Sequence, residues 1–328
     1  MKIGLVLTPL NEVNLKLAKQ LGVTDVVYYH MDSMPETSSA LISQKNSVAE
    51  AGLELSVIEG GPPMDQIVLA KPGRDAQIAH FKKCIINMGK AGIPVLCYNF
   101  MPWSLRVART SYETKIRGGA LTSSFDFDEW DDSLRTADGE TTEAEMWANL
   151  AYFLKAVIPT AEKAGVKMAL HPDDPPINPL RGLARIFSEP ASFDRLIDLV
   201  PSPNNGLTMC QGTFAEMGAD VPALIRRLND HIHFAHFRDI KGDSKNFVEV
   251  FQDEGQTDML DAMQAYHDGG YTGVIRPDHV PLLACEKGEA DEEKAAGYFS
   301  GKASGYTMMG RLFAVGYMRG LMEAVQKY

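Results

Sequence analysis

The sequence predicts an α/β protein in which eight strand–helix units close into a (β/α)8 TIM barrel. Its 328 residues suit one such barrel, which commonly reaches this length as a single unit. Short apolar and β-branched runs alternate with longer helical stretches, and eight such units can be counted. Runs of this kind are typical of parallel strands that helices cover from outside. An open doubly wound sheet is the alternative, and the choice depends on the count of units.

The eight strands are predicted from apolar runs that end at turn residues. In chain order they are KIGLVLT (2–8), TDVVYYH (24–30), LELSVIEG (53–60), IPVLCYNF (93–100), VKMALHP (166–172), GLTMC (206–210), HIHFAHF (231–237) and TGVIRPD (272–278). Apolar residues at helical spacing predict the main helices at 11–22, 37–51, 75–92, 143–165 and about 305–326. The first run has one lysine and no small-residue cleavage site, so we expect a strand and not a signal peptide.

Two long segments, 101–141 and 281–304, follow the fourth and eighth strands. Long loops after barrel strands usually cover the active site. Residues 1–328 are therefore expected to form one barrel domain, with these segments as inserted loops over the site. The run EKGEADEEK (286–294) within the second segment is interpreted as a solvated surface.

The charge balance argues against a nucleic-acid or anionic-membrane partner. The formal net charge is −11, whereas such surfaces need clustered Lys and Arg. No apolar run approaches the length of a transmembrane helix. The four cysteines form no CxxC pair, as expected of a reduced, cytoplasmic protein. We expect a small-molecule partner, and the sequence leaves self-association open.

Four metal-binding residue types stand at the ends of consecutive predicted strands. They are His171, Cys210, His236 and Asp278, on the fifth to eighth strands. Residues at the C-terminal ends of barrel strands meet at one face, and imidazole, thiolate and carboxylate together can bind a divalent cation. Any one of them alone is more often packed or hydrogen-bonded than a ligand. Their equivalent positions favour a shared metal site.

The seventh strand offers three histidines. Side chains alternate along a strand, so His231 and His233 share one face, and His236 lies on the other with Phe234 and Arg238. The strand end favours His236 as the ligand and Arg238 as an inward cation. His233 is interpreted as a structural histidine.

Asp173 and Asp174 follow His171 directly in the stretch MALHPDDPP (168–176). The prolines around them fix φ and stiffen the loop. A carboxylate there could orient a metal ligand or bind substrate hydroxyls. The alternative is a solvent-exposed turn, in which Asp and Pro are common.

Several stretches resemble one family. They are CYNFMPW (97–103), LHPDDPP (170–176), NNGLTMCQGTF (204–214), HFAHFRDIK (233–241), GYTGVIRPDH (270–279) and SGYTMMGRLFAVGYMRGL (304–321). Together they resemble mannonate dehydratase, of the xylose-isomerase-like barrel group, from about residue 53 to the C-terminus. HPDDPP and RPDH are the most specific pieces.

The resemblance implies a barrel enzyme of hexuronate catabolism that dehydrates D-mannonate to 2-keto-3-deoxy-D-gluconate with a divalent metal, usually Mn²⁺. It places the metal ligands on His171, Cys210, His236 and Asp278, and a catalytic tyrosine on Tyr306. Ligand softness alone would suit zinc as well, and Fe²⁺ or Co²⁺ remain open. The chain departs from the family pattern at PWSLRVART (102–110), at YYHMDS (28–33) and in 281–304. These departures leave the exact sugar acid open.

The predicted chemistry is loss of a proton from C2 and of the hydroxyl from C3, with the metal as Lewis acid and template. We expect Arg238 to stabilise the developing negative charge. The acid and base candidates are Tyr306, His279 and His30. The substrate-contact candidates are Asn99, Arg106, Asp173 and Asp174.

Other functions remain open from sequence alone. A sugar isomerase or epimerase could use a similar metal site but would retain every oxygen. A lyase on another oxidised sugar would fit the altered loops. A non-catalytic sugar-acid-binding barrel is a further alternative. A DNA-repair endonuclease would need a basic groove, against which the net charge of −11 argues.

Overall fold

The centre of the protein is a closed barrel of parallel strands, in the order β1–β12–β9–β8–β7–β4–β3–β2. The computed structural model describes residues 1–7, 10–29, 34–35, 37–105, 108–286 and 307–327. The barrel strands are Lys2–Val6 (β1), Asp25–Tyr29 (β2), Glu54–Glu59 (β3), Val95–Asn99 (β4), Lys167–His171 (β7), Asn205–Cys210 (β8), Ile232–Phe237 (β9) and Val274–Pro277 (β12). The predicted barrel is confirmed. The open sheet is excluded because β1 pairs with both β2 and β12.

Helices surround the barrel. Those in the described residues are Glu12–Gln20 (α1), Ser38–Glu50 (α2), Asp65–Val68 (α3), Arg74–Ala91 (α4), Glu143–Ala164 (α5), Ala191–Leu199 (α6), Gln211–Glu216 (α7), Val221–Leu228 (α8), Met259–Asp268 (α9) and Met308–Lys327 (α10). Helix α5 begins with a capping box between Thr142 and Glu145 and is capped at its C-terminal end by Gly165, whose φ is 68°. These signals satisfy the terminal backbone groups of the helix.

Two apolar layers hold the barrel together. Small and β-branched side chains, with Phe234, fill the inside; they include Val6, Val27, Val57, Val95, Ala169 and Val274. Outside, larger side chains pack between helices and strands. Phe81 of α4 meets Phe153 of α5 edge to face, with ring centroids 4.9 Å apart. Among the described residues, no helix is both long and apolar enough to cross a membrane.

The protein also has a second, antiparallel sheet, with four strands in the order β10–β11–β6–β5. Its strands are Ser111–Lys115 (β5), Leu121–Asp126 (β6), Asp239–Gly242 (β10) and Asn246–Val250 (β11). The sequence did not predict these strands, because they are short and rich in polar residues. β11 pairs with β6 from a distant part of the chain, and Phe247 stacks on Phe125.

The structure describes most of the first long segment but only the beginning of the second. Segment 101–141 supplies β5 and β6 together with short 3-10 turns. Of segment 281–304, only its first residues lie within the described part of the chain. There Leu282 bridges to Leu121 of β6, so the chain after β12 runs against the second sheet.

Candidate metal centre and active site

Adjacent barrel strands bring three predicted ligands together. The ligand atoms of His171, Cys210 and His236 all lie within 4.8 Å of one another. They converge because each lies at or near the end of its strand and Cys210 pairs in register with His236. Asp278 follows β12, and its Oδ2 lies 3.8 Å from the Cys210 Sγ and 3.5 Å from the His236 Nδ1. The four donors that were predicted from strand ends therefore face one another.

The state of these donors suits a metal ion. His236 is 1% exposed, and neither of its ring nitrogens makes a hydrogen bond within the described residues. Buried polar atoms without a partner are rare in proteins. The His171 Nδ1 lies 2.7 Å from the Pro172 carbonyl. An N–H at Nδ1 donates to that oxygen, which leaves Nε2 as the metal-binding nitrogen.

Charges at the site favour the ligand form of Cys210. Burial by itself raises the pKa of this thiol, but the Arg238 guanidinium and the His171 imidazole outweigh it and place the pKa well below its usual range. The Thr213 hydroxyl also donates to Cys210 Sγ over 3.1 Å. Cys210 is thus set up as a thiolate, the form that binds metals.

The carboxylate of Asp278 is held ionised. Burial raises its pKa, but His279, Arg276 and His236 outweigh that effect and lower it well below the usual range. Arg276 Nη1 lies 3.0 Å from Oδ1, and Arg238 donates from Nε to Oδ2 over 2.9 Å. Two guanidinium groups therefore fix the orientation of this carboxylate.

Glu59, at the end of β3, forms a bidentate ion pair with Arg276, at 2.9 and 2.6 Å. Its Oε1 also lies 3.5 Å from the His236 Nε2. Burial and Arg276 by themselves lower the pKa of His236, but the negative charges of Asp278 and Glu59 raise it to about 10, and a bound cation would take the place of that proton. The sequence did not predict Glu59 or Arg276. The available signal was a charged residue within or at the end of a largely apolar strand.

Arg238 lies inward and buried, and it joins several acidic groups. Besides Asp278, it donates to Glu216 over 3.0 Å, to Asp174 over 2.8 Å and to Thr213 over 2.9 Å. Burial lowers the pKa of Arg238, but Cys210, Glu216 and Asp174 raise it well above its ordinary value. The guanidinium is therefore a fixed positive charge beside the metal ligands.

Asp173 and Asp174 are buried, at 1% and 5% exposure, so the solvent-exposed turn is excluded. Asp174 accepts two hydrogen bonds from Arg109, at 2.7 and 2.9 Å, and one from Arg238. Burial raises its pKa, but these two arginines lower it to about 2. Asp173 accepts from the Phe187 amide over 2.9 Å. Substrate contact by either carboxylate stays a prediction.

Two further charged residues belong to this network, one on the second sheet and one just before its first strand. Glu249 of β11 accepts from Arg109 over 2.7 Å and from Ser123 over 2.6 Å. Its Oε1 lies 2.6 Å from the His279 Nδ1. The sequence did not predict Arg109 or Glu249, because no local motif links them to the strand ends.

The remaining predicted residues fall into two groups. Asn99 ends β4, half-buried, in register with His171. His30, Arg106 and Tyr306 lie outside the described residues. Their predicted roles therefore stay predictions.

The other histidines of the seventh strand lie away from the site. His233 is buried and its Nδ1 lies 2.9 Å from the Met168 carbonyl, as expected of a structural histidine.

A second possible ligand group joins Glu59, Cys97 and His236. Glu59 is already paired with Arg276. Burial and the negative charge of Glu59 raise the pKa of the Cys97 thiol well above its usual range. These features disfavour a metal there.

Comparison with known proteins identifies the family of the chain. A family model described as D-mannonate dehydratase (UxuA) matches residues 6–138 and 133–328. Mannonate dehydratase 2 of Halalkalibacterium halodurans is 32% identical over 353 residues, which cover 97% of each chain. The mannonate dehydratase of Thermotoga maritima is 35% identical over 88% of this chain and 86% of its own.

Solved structures agree with this family. The crystal structure of mannonate dehydratase from Streptococcus suis serotype 2 superposes with a TM-score of 0.88 at 32% identity, covering 100% of this chain and 94% of that one. A structure of L-ribulose 3-epimerase has a TM-score of 0.62 at 16% identity, covering 99% and 96%. That likeness concerns the fold alone, so the isomerase or epimerase alternative is not favoured.

Proposed function

The chain belongs to the D-mannonate dehydratase family and is a hydro-lyase, and from this premise we propose that it dehydrates D-mannonate to 2-keto-3-deoxy-D-gluconate. The observation that carries the proposal is the convergence of His171, Cys210 and His236 within 4.8 Å, with Asp278 beside them. Such a donor set suits a divalent cation. Carbohydrate chemistry in a barrel fits a site at the C-terminal ends of the strands.

We propose that the four donors hold Mn²⁺, which the resemblance favours over Fe²⁺, Co²⁺ or Zn²⁺. When bound, the metal would act as a Lewis acid and template for the substrate carboxylate and 2-hydroxyl. Contacts within the chain support two of the donors. Arg276 and Arg238 orient Asp278, and the Pro172 carbonyl sets the tautomer of His171.

The reaction itself needs one base and one acid. The base takes the proton from C2, the electrons of that bond form the C2–C3 double bond, and the C3 hydroxyl leaves as water with a proton from the acid. The resulting enol then tautomerises to the 2-keto acid. Tyr306, His279 and His30 stay the proposed acid and base, and Arg238 supplies fixed positive charge nearby.

We further propose that 101–141 covers the site. Arg109 and Ser123 from this segment support it, because both contact Glu249 in the buried network. Substrate contacts by Asn99, Arg106, Asp173 and Asp174 remain part of this proposal. Cys97 and Cys210 are free thiols, and reduced thiols support the proposed cytoplasmic location.

The proposal is tested with metal-stripped protein reconstituted with Mn²⁺ and given a panel of hexonates that includes D-mannonate. We expect 2-keto-3-deoxy acid from D-mannonate, and its loss in Cys210→Ala. Cys84→Ala is the matched control, because Cys84 is equally buried but lies on α4. No product from any hexonate, with one metal bound per chain, would contradict the proposed dehydration.

A further inference from the structure

We propose that Glu249 of the second sheet is a positioning residue, which holds the His279 imidazole by its Nδ1 and directs Nε2 towards the substrate. This inference rests on the proposed function. It gives the second sheet a part in the reaction.

The contact between the two side chains is short and shielded. Glu249 Oε1 lies 2.6 Å from the His279 Nδ1, and Glu249 is 4% exposed. Hydrogen bonds to a charged group are stronger than neutral ones, and burial adds to the difference. The pair is therefore able to hold the orientation of the imidazole ring.

The chemistry of the two groups decides which nitrogen carries the proton. An ionised carboxylate only accepts hydrogen bonds, so the proton of this contact belongs to the His279 Nδ1. Exchange of a proton with substrate then falls to Nε2. That nitrogen lies 3.9 Å from Asp278 Oδ1, at the proposed metal centre.

Glu249 is itself fixed by two further hydrogen-bond donors. Arg109 donates to Oε1 over 2.7 Å and Ser123 to Oε2 over 2.6 Å. Arg109 precedes β5, Ser123 lies on β6 and Glu249 on β11, so all three come from the second sheet or its approach. A carboxylate anchored in this way has little freedom to turn, and it can transmit that rigidity to His279.

A purely structural role is the rival explanation, in which Glu249 only neutralises Arg109. The variant Glu249→Gln distinguishes the positioning role from the purely structural one. The amide oxygen can face Arg109 and His279 while the amide nitrogen donates to Ser123 Oγ, so the shape is kept and the charge is lost. Asp253→Asn is the matched control, because Asp253 follows β11 and pairs with Arg117 of the turn between β5 and β6, where both side chains are partly exposed.

Kinetics with D-mannonate provide the first readout. We expect Glu249→Gln to lower kcat about 10-fold to 100-fold while KM and the bound Mn²⁺ stay within about twofold of wild type. Asp253→Asn should match the wild type. The double variant Glu249→Gln, His279→Gln should be no slower than His279→Gln alone, since the effect of Glu249 passes through His279. Losses that multiply in the double variant would overturn the proposal.

A second readout needs neither activity nor a stable variant at Glu249. In ¹⁵N spectra of histidine-labelled, metal-free wild-type protein, we expect the His279 Nδ1 signal of a protonated nitrogen, assigned by its absence in His279→Gln. An unprotonated Nδ1 would overturn the proposal. If wild type dehydrates no hexonate but this signal is present, the proposed function fails while the Glu249–His279 pairing stands.

Discussion

Glu59 and Arg276 form a bidentate ion pair inside the barrel, across 217 residues of chain, with both hydrogen bonds at or below 2.9 Å. The pair places Glu59 within 3.5 Å of the His236 Nε2. Arg276 in turn contacts Asp278, with its Nη1 3.0 Å from Oδ1. One pair of residues thus contacts two of the four proposed metal ligands.

The first prediction concerns this pair. Glu59→Gln should weaken metal binding by about 10-fold to 100-fold, because a carboxylate beside a ligand histidine orients it and raises its basicity. Titration of stripped protein with Mn²⁺ by calorimetry measures the change. Glu54→Gln, on the same strand but 51% exposed at its side chain, is the control and should bind Mn²⁺ as wild type does. Equal affinity in both variants would contradict a role for Glu59.

The second prediction concerns Arg238. Arg238→Lys keeps the charge but loses the planar fork that reaches Asp278, Glu216 and Asp174. We expect the free energy of unfolding to fall by about 2 kcal/mol or more, since hydrogen bonds to buried charged groups are lost. Denaturant unfolding measures it.

Arg226→Lys is the control for that experiment. Arg226 pairs with Asp261 at the surface, where both side chains are more than two-fifths exposed. Exposed ion pairs contribute little, so the change should stay within about 0.5 kcal/mol. A loss at Arg238 no larger than this would show that the buried network is not a major source of stability.

The third prediction is a pH dependence of stability from His233. Burial lowers the pKa of this histidine to about 4, below the ordinary value, so the unfolded chain binds its proton more tightly. The stability from neutral His233 is present above about pH 6.5 and is lost as the pH falls towards 4, by about 3 kcal/mol.

His233→Asn isolates this effect, because the asparagine amide can still donate to the Met168 carbonyl and does not titrate. Between pH 7 and pH 4, we expect wild type to lose about 3 kcal/mol more than the variant in denaturant unfolding. Parallel pH profiles for the two proteins would show that His233 has the same pKa in the folded and the unfolded chain.

The fourth prediction concerns metal removal. A ligand that binds only the folded state stabilises it, by about 2.7 kcal/mol at a free concentration 100 times its Kd. Adding a chelator should therefore lower the Tm of wild type and of Cys84→Ala, and should leave the Tm of Cys210→Ala unchanged. An equal shift in all three proteins would place the stabilising metal away from Cys210.

The sequence by itself determined the barrel and the four strand-end donors. Each barrel strand is a local apolar run between turn residues, so its pattern is readable without its neighbours. Parallel strands of a barrel end at a common face. For this reason the strand-end positions of His171, Cys210, His236 and Asp278 were enough to predict that they lie together.

Only the tertiary structure decided the second sheet and the buried ion pairs. β11 pairs with β6, and Arg109 meets Glu249 across 140 residues. No local pattern encodes such a pairing, because a short polar strand becomes stable only when its partner supplies the hydrogen bonds. Likewise, a charged residue enters the interior only where the folded chain brings an opposite charge to it, as Glu59 and Arg276 do.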